Sequence, residues 1–150
     1  MKSQKSFILS SILLLLLSFL LTGSTSSSDP ADSILGTFWA PDKDGKIEMY
    51  KKGNTYWGKL TWGEQMDLKD TENPDPSLRS RKLLGIDIFM DFEYDREEQE
   101  WVNGRIYNSS DGNLYKAELW YEAGNTETLM VRGYLGLPIF GVTKEFERIE

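Results

Sequence analysis

Residues 101–122 constrain the fold more than any other part of the chain, because they have the pattern of a β-hairpin. Apolar and polar residues alternate with a period of two over 101–107 and again over 115–121. Between the two runs, Asp111-Gly112 provides the glycine that a tight hairpin turn needs for its positive φ angle. The pattern therefore predicts two antiparallel strands, each with one buried face.

The same unit, a short alternating run followed by turn residues, recurs along the chain. The predicted strands are 35–40, 46–51, 55–62, 86–94, 101–107, 115–121, 128–134 and 142–149. Closing eight such strands into a barrel removes both exposed sheet edges and leaves an interior that side chains or one small ligand can fill. We therefore expect an all-β, up-and-down antiparallel barrel, with a β-sandwich as the alternative.

One long insertion, residues 63–85, interrupts the strands. Asp75-Pro76 has the form of a helix N-cap followed by proline at the first helical position. A helix running through the whole insertion would place Leu78, Leu83 and Leu84 on three different sides. The sequence thus predicts a short helix of one or two turns, followed by extended chain.

The N terminus has the pattern of a secretory signal peptide. Lys2 and Lys5 precede an apolar run over 7–21, and small polar residues follow over 22–28. The run is shorter than the ~18 residues of a membrane span, and Ser24 stands where a lipoprotein would have its cysteine. We expect a signal peptide at 1–24, a flexible leader at 25–33 and one barrel domain at 34–150. The protein would then be periplasmic or extracellular, with no membrane span in its mature form.

The amino-acid composition disfavours several classes of partner and of catalytic chemistry. The net charge is −7, and it becomes more negative when Lys2 and Lys5 are removed, so nucleic acids and anionic membranes are poor partners. The absence of His and Cys removes the commonest general base, nucleophile pair and transition-metal ligands. We expect no cofactor and no metal, and enzymatic activity is not the favoured hypothesis.

Carboxylates are the remaining catalytic candidates. Asp87, Asp91 and Glu93 share a face of the alternating run 86–94, with neighbours ~7 Å apart, a spacing used by inverting glycosidases. A carboxylate-dependent hydrolase is therefore one hypothesis, and a solvated outer face is the alternative. Asp42, Asp44 and Gly45 resemble part of a calcium loop but lack its other ligands, which favours a hairpin turn.

Arg105 and Arg132 lie in strands, and two orientations are open. If Val102 and Ile106 face inward, both arginines face outward on the strands that flank Glu118, as a surface charge ladder. If instead Trp101, Arg105 and Tyr107 face inward, a buried guanidinium would require a carboxylate or an anionic ligand.

Further candidates for ligand contacts are aromatic or basic. A ligand could lie between Trp57, Tyr107 and Tyr134, while Trp62 serves either a pocket or the core. Arg79 and Arg81 belong to the basic cluster of the insertion, as a lid contact or as solubilising groups. The strand glycines Gly58, Gly104 and Gly133 predict that something approaches them closely, either the chain itself or a ligand.

Three segments of the chain resemble a family of small exported bacterial proteins known as domain of unknown function 2147. They are NPDPSLRSR at 73–81, GRIY at 104–107 and RGYLGLPIFG at 132–141. The resemblance covers 34–149 and implies a lipocalin-like barrel without an established activity. Lipocalins open with Gly-X-Trp, capped by a basic residue of the last strand. Here Phe38 occupies the Trp position, Trp39 follows it, and Arg148 is the expected capping residue.

Besides the hydrolase hypothesis, two binding hypotheses are open. In the favoured one, an exported barrel holds a small, partly apolar ligand, either neutral or anionic. In the other, the barrel is filled and the apolar loop 135–140 contacts a protein partner in the cell envelope.

Overall fold

The computed structural model describes residues 28–149, which form a closed antiparallel barrel of eight strands. Each strand pairs with the next along the chain, and β8 pairs with β1, so that the sheet has no open edge. The predicted all-β, up-and-down barrel is therefore confirmed. The strands are β1 (Gly36–Trp39), β2 (Gly45–Lys52), β3 (Thr55–Gly63), β4 (Asp87–Asp95), β5 (Glu100–Asn108), β6 (Asn113–Tyr121), β7 (Thr128–Tyr134) and β8 (Val142–Arg148).

A short 3₁₀ helix, Pro30–Ile34, closes one end of the barrel. The side chain of Ile34 is fully buried, and the indole nitrogen of Trp101 donates a 3.1 Å hydrogen bond to the carbonyl of Ala31. The hydroxyl of Tyr56 donates a 2.6 Å bond to Asp32. Residues 30–33, which we expected at the end of a flexible leader, therefore belong to the folded domain.

The half of the barrel next to this helix is filled by its own side chains. The buried residues include Phe38, Met49, Tyr56, Phe89, Phe92, Trp101, Leu119 and Leu129. Two strand glycines make room for this core: a Cβ on Gly104 would lie 2.3 Å from the ring of Phe92, and one on Gly58 would lie 2.6 Å from the sulfur of Met49. The close approach predicted at these glycines comes from the chain itself.

Bulges in β4 and β5 decide which side chains face inward. β4 gains a residue relative to β3 near Asp91, and β5 gains one relative to β6 near Asn103; both residues have positive φ, at 64° and 62°. The extra residue in β5 lets both Trp101 and Ile106 pack in the core while Arg105 is exposed. Each of the two orientations predicted for β5 therefore holds for only part of the strand.

The same effect corrects the prediction for β4. Strict alternation placed Phe89 on the wet face opposite Met90, whereas Phe89 is 1% exposed and pairs with Gly58 inside the barrel. Met90 pairs with Arg105, and both contribute to a groove on the outside of the barrel. A period of two holds only until a bulge changes the parity.

The insertion between β3 and β4 consists mostly of turns and bends, where extended chain was expected after the short helix, and it contains no α-helix. Its helical part is a single 3₁₀ turn, Pro76–Leu78, with Asp75 as the N-cap as predicted. An isolated bridge between Lys69 and Lys82 joins its two arms. The short-helix prediction is thus correct in position, but it overstated the helix length.

The predicted signal peptide, residues 1–24, lies outside the described residues. Within 28–149, no helix is both long enough and apolar enough to cross a membrane.

Candidate ligand-binding site

A cavity opens at the end of the barrel opposite the 3₁₀ helix Pro30–Ile34. We call this end the mouth and the helix the plug. The β1–β2 and β5–β6 turns, the insertion and the β7–β8 loop all lie at this end, because each joins strands at the same edge of the up-and-down barrel. The mouth cavity has two adjoining lobes, which share Ile106, Asn108 and Phe146 among their lining residues.

The first lobe has a volume of about 290 Å³, close to the lower end of the range for ligand pockets. Its wall is largely apolar, with Asp44 and Glu64 as its acidic residues. The apolar wall comes from β2 to β5, the insertion and β8: Ile47, Leu60, Met66, Leu68, Leu83, Leu84, Ile88, Phe89, Ile106 and Phe146. The insertion therefore supplies part of the cavity wall.

The second lobe, of about 400 Å³, contains Lys144. Among the described residues that line this lobe, Lys144 is the only charged one; its neighbours include Tyr115, Val131, Val142 and Phe146. Lys144 pairs directly with the inward-facing Val131, so its side chain also lies on the inner face of the sheet, where it is exposed at the open mouth. No carboxylate of residues 28–149 lies within 4.0 Å of its ammonium group.

Sequence reasoning missed Lys144, although a signal for it was present. Val142, Phe146 and Arg148 follow the same period of two, and Arg148 is the capping residue that the family resemblance implies. Extending that period places Lys144 inward as well. The sequence left the orientation of Arg105 and Arg132 open, and both lie on the outside of the barrel.

A buried polar cluster fastens the insertion beside the mouth. The carboxylate of Asp70, which is 0% exposed, accepts hydrogen bonds from Tyr107, from Asn73 at 2.7 Å and from Arg81 at 2.9 Å. Arg81 also forms an ion pair with it at 2.7 Å. Burial opposes ionisation of Asp70, but these donors outweigh it, so the pKa of Asp70 is lowered from its ordinary value. We call these four residues the latch.

The basic residues of the insertion therefore act within the insertion and its latch. Arg81 belongs to the latch, and Arg79 donates a 2.8 Å bond to the carbonyl of Asn73. Gly112, in the β5–β6 turn, contacts the same segment: a Cβ there would lie 1.9 Å from the carbonyl oxygen of Glu72. Of the two predictions for Arg79 and Arg81, the contacts favour a role in holding the insertion in place.

Four of the eight predicted ligand residues meet in one place, but on the outside of the barrel. Trp57, Arg81, Arg105 and Tyr107 all line an open groove between the insertion and the outer face of β3 to β6. Met90 and Leu114 contribute its apolar surface, and the hydroxyl of Tyr107 is committed to the latch. The groove is a surface feature that the barrel wall separates from the mouth cavity.

The other predicted ligand residues are separated from this groove. Arg132 donates to the carbonyls of Pro138 (2.7 Å) and Ile139 (3.3 Å) and to the hydroxyl of Thr143 (3.1 Å). It lies opposite Glu118 without forming an ion pair, while Tyr134 donates to Glu118 at 3.2 Å. The expected charge ladder is therefore absent from these strands. Trp62 packs edge-on against Trp39, with Lys46 over both rings.

The carboxylates of β4 have separate environments. Asp87 accepts a 2.9 Å bond from Tyr50, Glu93 accepts one of 2.9 Å from Asn103, and Asp91 is exposed on the bulge. Nothing in this arrangement favours a catalytic pair. Residues 41–44 form the turn between β1 and β2, as the sequence predicted.

Arg148 closes the base of the barrel as expected. Its guanidinium lies 4.6 Å from the ring centre of Phe38 and donates to the carbonyls of Ser33 and Leu35 at 2.6 and 2.9 Å. Gly36 permits this approach, since a Cβ there would lie 2.7 Å from the guanidinium. Phe38 thus takes the position of the lipocalin tryptophan.

The barrel is closed and has eight strands, its base is plugged, an arginine lies over an aromatic ring, and its mouth is open and apolar. These features define a lipocalin-like protein. A solved structure, "Protein HP1028 from the human pathogen Helicobacter pylori belongs to the lipocalin family", matches with a TM-score of 0.69 over 78% of this chain and 83% of that chain. The two chains are 18% identical, so this likeness concerns the fold.

The chain belongs to the family described as "Uncharacterized protein conserved in bacteria (DUF2147)", whose model matches residues 36–148. The comparison with curated proteins found no match.

Proposed function

We propose that this protein is exported and binds a small, partly apolar acid in the mouth cavity, with Lys144 holding the acidic group. The observation that carries the proposal is a lysine on the inner face of the barrel, among Val131, Val142 and Phe146. An apolar wall with one well-placed charge is typical of a pocket for an amphipathic ligand.

The distribution of charge around the cavity supports one orientation of the ligand. Asp44 and Glu64 line the first lobe and would repel a carboxylate, whereas Lys144 in the second lobe would attract it. The apolar part of the ligand would then extend towards Phe89, Ile88 and Leu83 in the first lobe. The filled lower half of the barrel limits the ligand to a small molecule.

The test compares two ligands that differ in charge, decanoic acid and decanol, by isothermal titration calorimetry. Lys144 is exposed at the mouth, so solvent screens part of its attraction for a carboxylate; Lys144→Met should weaken decanoate binding several-fold and leave decanol binding nearly unchanged. Arg105→Met is the matched control, because Arg105 is an exposed cation on the outer face. It should change neither affinity.

Calorimetry suits this site better than intrinsic fluorescence. Trp101 lies at the plugged base, and Trp57 and Trp62 lie on the outside, so none of them lines the mouth cavity. If wild-type protein binds neither compound, the proposal fails for this ligand class. If Lys144→Met leaves decanoate binding unchanged, Lys144 is not the anchor.

A further inference from the structure

We propose that the loop between β7 and β8 docks the barrel mouth onto a lipid surface. Four apolar side chains of this loop are the basis: Leu135, Leu137, Ile139 and Phe140 are 61%, 63%, 75% and 77% exposed. We call them the apolar lip. Burial of such side chains away from water is favourable, so their exposure is costly.

The charge around the apolar lip suits a lipid surface. The protein has 24 acidic residues, but none lies between Thr128 and Lys144. The only charged residues within that stretch are Arg132 and Lys144 themselves. The stretch that carries the apolar lip therefore has two cations and no carboxylate of its own, which favours its approach to lipid headgroups even though the net charge of the protein is negative.

The apolar lip is held in place before it meets a partner. Arg132 bonds the carbonyls of Pro138 and Ile139 and the hydroxyl of Thr143, and so ties the loop to both β7 and β8. Gly141 allows the loop to return close to β7, because a Cβ there would lie 2.9 Å from the carbonyl oxygen of Gly133. A fixed loop loses little conformational entropy on docking.

The shape favours lipid over a protein partner. A stable protein interface buries about 800 Å² on each side over a well-packed patch. All four side chains of the apolar lip are more than half exposed, and exposed apolar groups at a loop tip insert readily into the boundary between headgroups and acyl chains.

Docking in this way would bring the cavity opening to the lipid. Val142, which is 64% exposed, follows the apolar lip directly and also lines the second lobe of the mouth cavity. A ligand with an apolar tail could then pass between lipid and cavity without crossing water; this part of the inference rests on the proposed function. The docking itself rests on different residues.

The test is co-sedimentation with vesicles of phosphatidylcholine, alone or mixed with phosphatidylglycerol, using exported protein purified from the periplasm. Ile139→Ser combined with Phe140→Ser should lower the partition coefficient about tenfold or more. Both side chains are largely exposed, so the melting temperature should not fall. Leu114→Ser is the matched control, since Leu114 is 42% exposed but belongs to the outer groove. Its partitioning should match wild type.

Arg132→Gln tests whether the fixed position of the apolar lip matters, in addition to its apolar residues. This variant keeps all four apolar side chains and loses the bonds that hold them, so partitioning should weaken while the protein remains folded. Three results would overturn the proposal. They are no wild-type binding to either vesicle, binding that the double serine variant leaves unchanged, and self-association of the protein through the apolar lip in place of vesicle binding. Ligand-free vesicles are used, so failure here is distinguishable from failure of the decanoate test.

Discussion

The hydroxyl of Tyr107, near the end of β5, donates a hydrogen bond to the fully buried carboxylate of Asp70, which lies 37 residues earlier in the chain. This bond joins the barrel wall to the insertion between β3 and β4. Because the insertion also supplies Leu68, Leu83 and Leu84 to the mouth cavity, the latch fixes one wall of the candidate site. Stability of the latch and shape of the cavity are therefore linked.

Removing the Tyr107 hydroxyl should destabilise the protein measurably. Tyr107→Phe leaves the buried carboxylate one donor short, and an unsatisfied buried group costs ~1–3 kcal/mol of unfolding free energy. Urea denaturation measures this change. Tyr134→Phe is the matched control: its hydroxyl bonds the partly exposed Glu118, so the loss should be below ~0.5 kcal/mol. Equal effects in the two variants would argue against the latch.

Acid should weaken the latch. The pKa of Asp70 is lowered in the folded protein, so its ionised form stabilises the fold above the unfolded-state pKa of ~3.9, and this contribution is lost as the pH falls through the folded-state pKa. Wild type should therefore exceed Asp70→Asn in unfolding free energy at about pH 7, and the difference should shrink towards about pH 3. Urea denaturation at several pH values tests this. A difference that is constant with pH would contradict it.

Gly112 should tolerate substitution less well than Gly124. Both have positive φ, at 70° and 78°, so alanine at either position costs ~1 kcal/mol of backbone strain. At Gly112 the new Cβ would also collide with the carbonyl of Glu72, whereas nothing lies within 4 Å at Gly124. Thermal denaturation should show a clearly lower melting temperature for Gly112→Ala than for Gly124→Ala. Similar values would mean that the contact between turn and insertion is weak.

Export should leave a processed N terminus. The apolar run over 7–21 and the small residues after it predict cleavage between about residues 23 and 29. N-terminal sequencing of protein from the periplasmic fraction checks this directly. Protein that retains Met1 and sediments with membranes would contradict it. The folded domain begins at or before Pro30, so a mature chain starting at 25–29 would keep the whole plug.

The sequence by itself determined the number and type of the strands, the position of the insertion and the positive-φ glycine of the β5–β6 turn. These features depend on local chemistry, namely a period of two and turn residues. The pairing of Arg148 with Phe38 was expected from the family resemblance.

Only the tertiary structure decided which residues line the site. A bulge inserts one residue into a strand, so every later side chain changes face, and nothing in the local pattern around Asn103 or Asp91 marked the bulges there. The orientation of Arg105 was consequently left open, and Phe89 was placed outside. The partners of Asp70 are 3, 11 and 37 residues away, and no local signal connects them. The period of two is enough to place Lys144 on the inner face, but only the pairing of β8 with β7, opposite Val131, puts it in the mouth cavity. Such pairings are set by the closure of the whole barrel, which brings together residues that are remote in the chain.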